Sequence, residues 1–365
     1  MATTTERPLK WPEVYSLAAL NASVVISWIA YHEYQPVLIE KFNFHGLVNF
    51  MIAGKAIILV VIPPLAGLMA DKLLQKNGKY FTMFSVGIGA TAMIFMVVAS
   101  LIGAAPLSIV KPVLPVMIVL WLIAMNLFIS PANSMIEAFA PAKKLPIVVG
   151  FLFLTTELIY ALEPVVVELV RFFGDTLTFI VGGILISVSG YFFHKISSDE
   201  VMSRKKELVE SEKKVVTPMT YVAIIFVGLQ LGLGKAFLVE FFPHNINEKF
   251  TAMASSSGYV ALGLLAFSAI LAFAVSGFVA KKGSSRVIPI SFLALLVGII
   301  IILISPSYTL YIVGGVITAA SFSFLNVSGL PFAISNLSVK HITYGVGIFI
   351  GASEIFTGMF EYFLR

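Results

Sequence analysis

Several ionisable side chains stand inside long apolar stretches of this 365-residue sequence. They are Glu33, Lys55, Glu157, Glu163, Lys235, Glu354 and Glu361. An ionisable group near the centre of a bilayer costs roughly 2.5–3.5 kcal/mol even on the lenient insertion scale, so such residues are usually paired or functional. Glu157 and Glu354 lie about twelve residues, or ~18 Å of helical rise, from the start of their apolar runs, which is near the midplane. The sequence therefore indicates charge-pair or proton chemistry within a membrane.

The strongest candidates for this chemistry are the four that lie deepest: Glu157, Glu354, Lys55 and Lys235. Glu33 lies nearer the outer surface, where a long side chain can extend to water. Acids outnumber bases in the apolar interior, so we expect at least one carboxyl without a cation. Because removal from water disfavours the charged form of a carboxyl, such a group binds a proton. Protons are thus an expected partner, and a static structural Lys–Glu pair is the open alternative.

A second set of side chains could hydrogen-bond a small polar molecule and cover an apolar face such as that of a sugar ring. The set comprises Trp28, Tyr31, His32, Asn126, Asn133, Gln230 and Asn326. The open alternatives are aromatic anchoring at the membrane interface and hydrogen bonding between helices. The sequence has no Cys and only five scattered His, so we expect no metal site and no cofactor.

The composition indicates an integral membrane protein. Hydrophobic residues make up 59%, charged residues 12%, and the mean hydropathy is +0.98, whereas about a quarter of the residues in a soluble domain are charged. A helix needs about 20 apolar residues to cross the hydrocarbon core. The sequence contains eleven such runs: 14–36, 46–70, 80–104, 113–140, 145–170, 174–194, 219–242, 257–280, 287–305, 308–334 and 342–364.

Lys and Arg residues predict the orientation. With the N-terminus in the cytoplasm, 17 of them fall in inner loops and 5 in outer loops, which is the positive-inside bias. This bias also accounts for the net charge of +5, so we expect no nucleic-acid partner. We expect a multi-pass protein of a bacterial inner membrane, with no cleaved signal peptide and with its C-terminus on the outer face.

The two halves of the sequence share spacings, in the same order. Glu33 and Glu240 each stand three residues before a proline, and residues 67–72 correspond to 277–282. Lys, Gly and Glu recur with identical spacing at 143, 150 and 157 and at 340, 347 and 354. We therefore expect an all-α fold of two pseudo-repeated bundles with 6 + 5 transmembrane helices: residues 1–196, a cytoplasmic linker at 197–217, and residues 218–365.

The loop between the second and third runs contains Gly67, Asp71, Lys72, Gly78 and Lys79. This pattern resembles the corresponding loop of major facilitator transporters. Patches at residues 28–42, 329–333 and 345–347 resemble the sucrose-transporter and glycoside–pentoside–hexuronide branch. An acid at a helix exit can accept hydrogen bonds from backbone N–H groups at the start of a neighbouring helix. The resemblance thus implies a conformational latch, in a major facilitator fold that lacks the last helix.

The resemblance further implies a secondary active transporter that moves a small polar solute, a sugar or glycoside, by alternating access with proton coupling. In that arrangement the first, fourth, seventh and tenth helices line a central cavity, with Lys235 and Glu33 on the cavity side. The second helix packs near the eleventh, which brings Lys55 within reach of Glu354 as a switchable pair. We expect a monomer in the lipid bilayer and no enzymatic activity. The open alternatives are an exporter of a drug, peptide or other metabolite, and a non-transporting membrane enzyme or assembly factor.

Overall fold

A computed structural model describes residues 8–42, 46, 48–104, 107–210, 216–250 and 257–364. Over these ranges the secondary structure is helical, with no strand. Eleven helices of the described chain are long and apolar enough to cross a membrane. The expectation of an all-α, multi-pass membrane protein is therefore confirmed.

The helices occupy the described chain almost continuously. They are α1 (Trp11–Phe42), α2 (Val48–Asn77), α3 (Phe81–Ala104), α4 (Leu107–Ser134), α5 (Ile136–Phe139), α6 (Leu145–Ala161), α7 (Glu163–Glu210), α8 (Pro218–Ala236), α9 (Phe242–Lys249), α10 (Ser257–Lys282), α11 (Ser284–Ile304), α12 (Tyr308–Ser335) and α13 (Ile342–Phe363). A short 3₁₀ turn, Ala142–Lys144, precedes α6, and a π-helical turn, Phe237–Phe241, joins α8 to α9.

The helix α7 contains a kink and runs past the apolar sequence. Its backbone leaves helical geometry at Gly174, where φ is +73°, a conformation that glycine adopts without steric cost. Beyond the kink the helix continues to Glu210, well into the polar stretch in which the linker is predicted to start at residue 197. Residues 211–215 of that linker lie outside the described residues, so the domain limits stay a prediction.

The helices pack as two bundles that meet along two seams. In the first half α3 packs on α4 and α7, and α1 packs on α6 and α7. In the second half α12 packs on α10 and α11, and α13 packs on α8. Between the halves α2 lies along α13 and α6 lies along α10. The expected proximity of the second helix to the eleventh is confirmed.

The seam between α2 and α13 depends on glycines, and we call Gly67, Gly347, Gly351 and Gly358 the glycine seam. A Cβ atom at Gly347 would overlap the backbone of Pro63, and one at Gly351 would overlap the carbonyl of Val60. Without side chains between them the two backbones approach closely, which gives dispersion contacts along most of both helices. Because lipid tails are as apolar as the helix surfaces, this packing rather than hydrophobic burial holds the halves together.

Substitution of Gly347 by alanine is expected to lower the free energy of unfolding by about 1–3 kcal/mol, the usual cost of overpacking a tight contact. The matched control is Gly54→Ala on α2, where an added Cβ meets no atom within 4 Å. That control should be neutral or slightly stabilising, because alanine has the higher helix propensity. Thermal unfolding of both variants in the same detergent measures the difference, and equal melting temperatures would contradict the role given to the seam.

Candidate functional site

A cavity of about 590 Å³ lies between the two bundles. Its wall includes residues from α1, α2, α4, α6, α8 and α13, together with the first residue of α7, the π turn, α9 and one residue of α10. The polar and charged side chains in the wall are Trp28, His32, Gln35, Lys55, Asn126, Glu157, Tyr160, Glu163, Lys235, Glu240, His244, Glu354, Thr357 and Glu361. The cavity is therefore a polar chamber inside an otherwise apolar molecule.

Two ion pairs stand in this wall, and each joins α13 to another helix. Lys235 Nζ on α8 donates to Glu354 Oε1 at 2.9 Å. Lys55 Nζ on α2 lies 2.6 and 2.5 Å from the two carboxylate oxygens of Glu361. The predicted partnership of Lys55 with Glu354 is wrong. Lys55 stands near the start of α2, beside Glu361 at the end of α13. Glu354 lies about two helical turns, ~10 Å, nearer the start of α13.

The remaining carboxyls give the cavity an excess of acid. Five glutamates and two lysines line it, and the two ion pairs engage both lysines with Glu354 and Glu361. Glu157 and Glu163 have neither an ion pair nor a hydrogen bond among the described residues. Glu157 and Glu163 are therefore the two candidates for the carboxyl without a cationic partner that the sequence predicts.

Three of the predicted binding residues line the cavity. Trp28 and His32 stand one turn apart on α1, with ring centroids 5.9 Å apart. The side-chain amide of Asn126 on α4 is buried and donates to the carbonyl of Leu122 at 2.8 Å. The chamber thus has an indole face, an imidazole and an amide on the side of the first bundle.

The other predicted site residues lie outside the cavity wall. Glu33 accepts a hydrogen bond from Arg171 Nε at 2.8 Å, so its placement on the cavity side is wrong. Asn133 pairs with Asn21 instead, at 3.2 Å. Three further predicted binding residues also lie outside the wall: Tyr31, Gln230 and Asn326. The expectation that the tenth helix lines the cavity is also wrong, because α12 contributes no residue to the wall.

The predicted latch joins the two halves at the face that holds the N-terminus. The buried side chain of Asp71, on α2, accepts a hydrogen bond from the backbone N–H of Tyr344 at 2.8 Å. Tyr344 is in the first turn of α13, whose N–H groups have no partner within the helix and carry partial positive charge. A Cβ at Gly67 would overlap the backbone of Thr343, so glycine there allows the helices to approach.

The other latch residues have supporting positions. Gly78 has φ +68°, which ends α2 with a tight turn, and its N–H donates to the carbonyl of Leu74 at 2.9 Å. Lys72 and Lys79 are exposed, and neither forms an ion pair within the described part of the chain. The contact of the latch is therefore a hydrogen bond from a backbone N–H group to Asp71, and not an ion pair with Lys72 or Lys79.

A buried hydroxyl cluster, Tyr80, Ser134 and Thr343, lies next to the latch. The Tyr80 hydroxyl donates to the carbonyl of Pro131 at 2.7 Å and lies 3.2 Å from the Thr343 hydroxyl, and Ser134 contacts both hydroxyls. Gln75 adds a further bond to the carbonyl of Lys340 at 3.0 Å. These contacts close the molecule at the N-terminal face, while the cavity wall extends to Leu364, close to the opposite end of α13.

Sequence reasoning missed several residues of the cavity wall. Gln35 and His244 stand next to prolines near helix ends, and Tyr160 stands one turn after Glu157. The shared spacing of Tyr160 and Glu157 on one helix face was an available signal. Glu240 lies in the π turn, an irregularity that helical periodicity does not predict and that often occurs at functional sites.

Two helical bundles around a cavity with many polar and charged side chains, joined at one face by the contacts of Asp71 and Gln75, define a polytopic membrane protein with a central cavity. Two solved structures share this architecture. The human organic anion transporter MFSD10 (TETRAN) has a TM-score of 0.68 at 9% identity, over 98% of this chain and 93% of that one. XylE, a major facilitator proton:xylose symporter bound to 6-bromo-6-deoxy-D-glucose, has a TM-score of 0.63 at 12% identity, over 95% and 87%.

The chain therefore has the major facilitator fold. No protein-family model matches the sequence, and no curated protein matches it. The resemblance to the sucrose-transporter branch receives no support beyond the fold.

Proposed function

We propose that the chain is a secondary active transporter that moves a small polar solute, a sugar or glycoside, by alternating access. The observation that carries the proposal is the acid-rich chamber between two bundles whose contacts close one face. In such an arrangement a rocking motion breaks the closing contacts and makes new ones at the other face, so that the site is reached from each side in turn.

The chamber suits a solute of monosaccharide size. Its volume of about 590 Å³ lies within the range of small-molecule sites, which is roughly 300–1,000 Å³. The Trp28 indole can cover the apolar face of a sugar ring, and His32 and Glu163 can hydrogen-bond ring hydroxyls. The structural similarity to a xylose symporter supports this choice at the level of the fold.

Proton coupling is the second part of the proposal. Glu157 and Glu163 lack a cation partner in the described chain, and a carboxyl removed from water favours its neutral form. Protonation of either residue, or of Glu354 in its pair with Lys235, changes the charge of the chamber by one unit at the place where solute binds. Solute and proton would then favour the same conformation, which is the thermodynamic requirement for symport.

The lysine and arginine bias of the loops supports an orientation with the latch on the cytoplasmic side. In that orientation the structure is closed to the cytoplasm. We propose a bacterial inner membrane as its location and a monomer as its working form.

A second candidate is export of an organic cation such as a cationic drug. The specific observation in its favour is the excess of five acids over two bases in the chamber, which attracts positive charge. The Trp28 face could add a cation–π contact. The same excess argues against a solute of net negative charge.

Proteoliposome uptake of labelled monosaccharides, disaccharides and quaternary ammonium compounds, with and without an imposed proton gradient, tests the proposal. We expect accumulation of at least one sugar above its equilibrium level under an inward proton gradient. Uptake of quaternary ammonium compounds but of no sugar, driven by an outward proton gradient, would contradict the sugar proposal and support export of organic cations. Folded protein that moves neither class would contradict both.

A further inference from the structure

Four exposed lysines meet where the two bundles join, at the face that holds the N-terminus. They are Lys143 and Lys144, in the 3₁₀ turn before α6, and Lys281 and Lys282, at the end of α10. That turn packs against α10. Slightly deeper along the seam, a Cβ at Gly150 would stand 2.8 Å from Ser276 Cβ, so the two helices are in tight contact there. The four lysines, which we call the lysine edge, therefore belong to both bundles and lie at one end of their seam.

The lysine edge occupies the place that the latch has in the other seam. In the repeat, Lys281 stands where the first half has Asp71. The carboxylate of Asp71 accepts a hydrogen bond from the start of α13, whereas a lysine ammonium can only donate. Lys144, Lys281 and Lys282 form no ion pair among the described residues. The seam between α6 and α10 therefore has concentrated positive charge at the place where its counterpart has an acid.

A partly exposed aromatic surface lies next to the lysine edge, toward the middle of the membrane. The ring of Phe151 on α6 lies 5.7 Å from that of Trp11 and 5.5 Å from that of Tyr15, both on α1. On its other side it lies 6.4 Å from the ring of Phe273 on α10. Tyr15 and Phe273 have 55% and 43% of their surfaces exposed. Phe151 follows Lys144 by seven residues, which places both on one face of α6 about 10 Å apart. Both bundles thus contribute to the aromatic surface as well.

The order of these groups across the membrane matches that of a phospholipid. Lysines at helix ends lie at the level of the headgroups, where they attract anionic lipids. The headgroup region on each side of a bilayer is about 5–8 Å thick, so rings ~10 Å deeper reach the first part of the acyl chains. The positive-inside bias accounts for lysines in inner loops. It does not require lysines of both bundles to meet beside a shared aromatic surface.

We infer that the lysine edge and the aromatic surface beside it bind one anionic phospholipid, whose phosphate contacts lysines of both bundles. A headgroup of net negative charge, such as that of phosphatidylglycerol, complements the lysines, whereas a zwitterionic headgroup carries a cation that they repel. The bound lipid joins the two bundles at the same face as the latch but in the other seam. The site lies outside the solute chamber and does not depend on the proposed transport function.

Native mass spectrometry of the full chain, released from detergent micelles with increasing amounts of phosphatidylglycerol, tests this surface. We expect one tightly bound lipid per chain. Its affinity should fall about 10- to 30-fold in Lys144→Gln/Lys281→Gln, because each lysine near an anionic surface contributes roughly fivefold. The matched control Lys76→Gln/Lys79→Gln removes two exposed lysines of the loop between α2 and α3, and it should bind the lipid within about twofold of the unmodified chain. Phosphatidylcholine should bind at least about tenfold more weakly than phosphatidylglycerol.

Three results would overturn the inference. One is equal loss of lipid binding in the two double-lysine variants, which would mean that only the total charge of the face matters. Another is equal binding of phosphatidylglycerol and phosphatidylcholine by the unmodified chain. The third is full displacement of the lipid by inorganic phosphate, which would assign the lysines to a soluble anion. Tyr15→Ala tests the aromatic part separately and should weaken binding by about threefold. Melting temperatures identify a variant that fails to fold, and the preference between the two lipids tests the inference in the unmodified chain.

Discussion

Replacement of Glu157 by glutamine is expected to abolish solute accumulation driven by a proton gradient while exchange of solute across the membrane continues. Glutamine keeps the size and hydrogen-bonding capacity of the side chain but cannot bind and release a proton. Glu157 lines the chamber and has no ion-pair partner among the described residues. Paired measurements in proteoliposomes, of accumulation under an inward proton gradient and of counterflow without one, separate the two effects.

Glu33→Gln is the matched control for this experiment. It also removes a carboxylate, but Glu33 pairs with Arg171 outside the chamber. We expect this variant to accumulate solute within about twofold of the unmodified chain, a change worth less than about 0.5 kcal/mol. Normal gradient-driven accumulation by Glu157→Gln would eliminate Glu157 as the coupling group and leave Glu163 and Glu354 as candidates.

Removal of Lys235 by alanine substitution is expected to reduce solute transport by about tenfold to a hundredfold. The change leaves Glu354 without its cation at the wall of the chamber. Loss of one partner of a fully buried pair costs about 3–5 kcal/mol. Here the side chains of Lys235 and Glu354 are 35% and 18% exposed, so water offsets part of that cost. Initial rates of uptake and the melting temperature of the purified protein measure the two consequences.

The charge-exchanged double variant Lys235→Glu/Glu354→Lys, measured together with the single variants Lys235→Glu and Glu354→Lys, gives a double-mutant cycle. Partial recovery of transport, relative to either single change, would show that the pairing itself matters. Lys249→Ala is the control for loss of a lysine, since Lys249 is exposed and, within the described part of the chain, donates to the carbonyl of Leu303 and forms no ion pair. Transport unchanged in Lys235→Ala would show that the ion pair is a structural contact without a role in the transport cycle.

The sequence predicted the membrane spans correctly because the lipid bilayer itself constrains them. Each membrane span must satisfy its backbone internally and present apolar side chains to lipid, so hydropathy locates it. The hydrogen bond of Asp71 to the start of a neighbouring helix was also predictable, because a carboxylate at a helix exit needs N–H donors and the first turn of α13 has them without partners. Its role as a conformational latch stays a prediction. The repeated spacing of Lys, Gly and Glu in the two halves correctly indicated two bundles.

Partnerships across helices were harder to predict. Lys55 lies seven residues from the start of α2 at Val48, and Glu361 lies two residues before the end of α13 at Phe363. Lys55 and Glu361 therefore lie at a similar depth in the membrane, which favours this pair. The prediction of Glu354 as the partner rested only on the expectation that the two helices are neighbours. The axial offset and rotation of two packed helices depend on side-chain interdigitation over their whole length, which a single sequence does not display.

The composition of the cavity wall was the least predictable feature. The π turn at Phe237–Phe241 changes the rotation of the chain after Lys235 and brings Glu240 to the wall. Asn326 stands on α12, which packs among α8, α10 and α11 and contributes nothing to the chamber. Apolar helices give little sign of which face meets a partner helix and which meets a cavity, because both faces are hydrophobic.

The helix α13 carries the latch contact in its first turn, Glu354 near its middle and Glu361 close to its end. Its 22 residues form one continuous helix of about 33 Å, so the two ends cannot move independently. Reciprocity then fixes a quantitative relation between distant sites. If solute binding changes the equilibrium constant for opening of the Asp71 contact by some factor, then opening of that contact changes the affinity for solute by the same factor. A substitution at Asp71, far from the chamber, would therefore report the coupling free energy of transport in a simple binding titration.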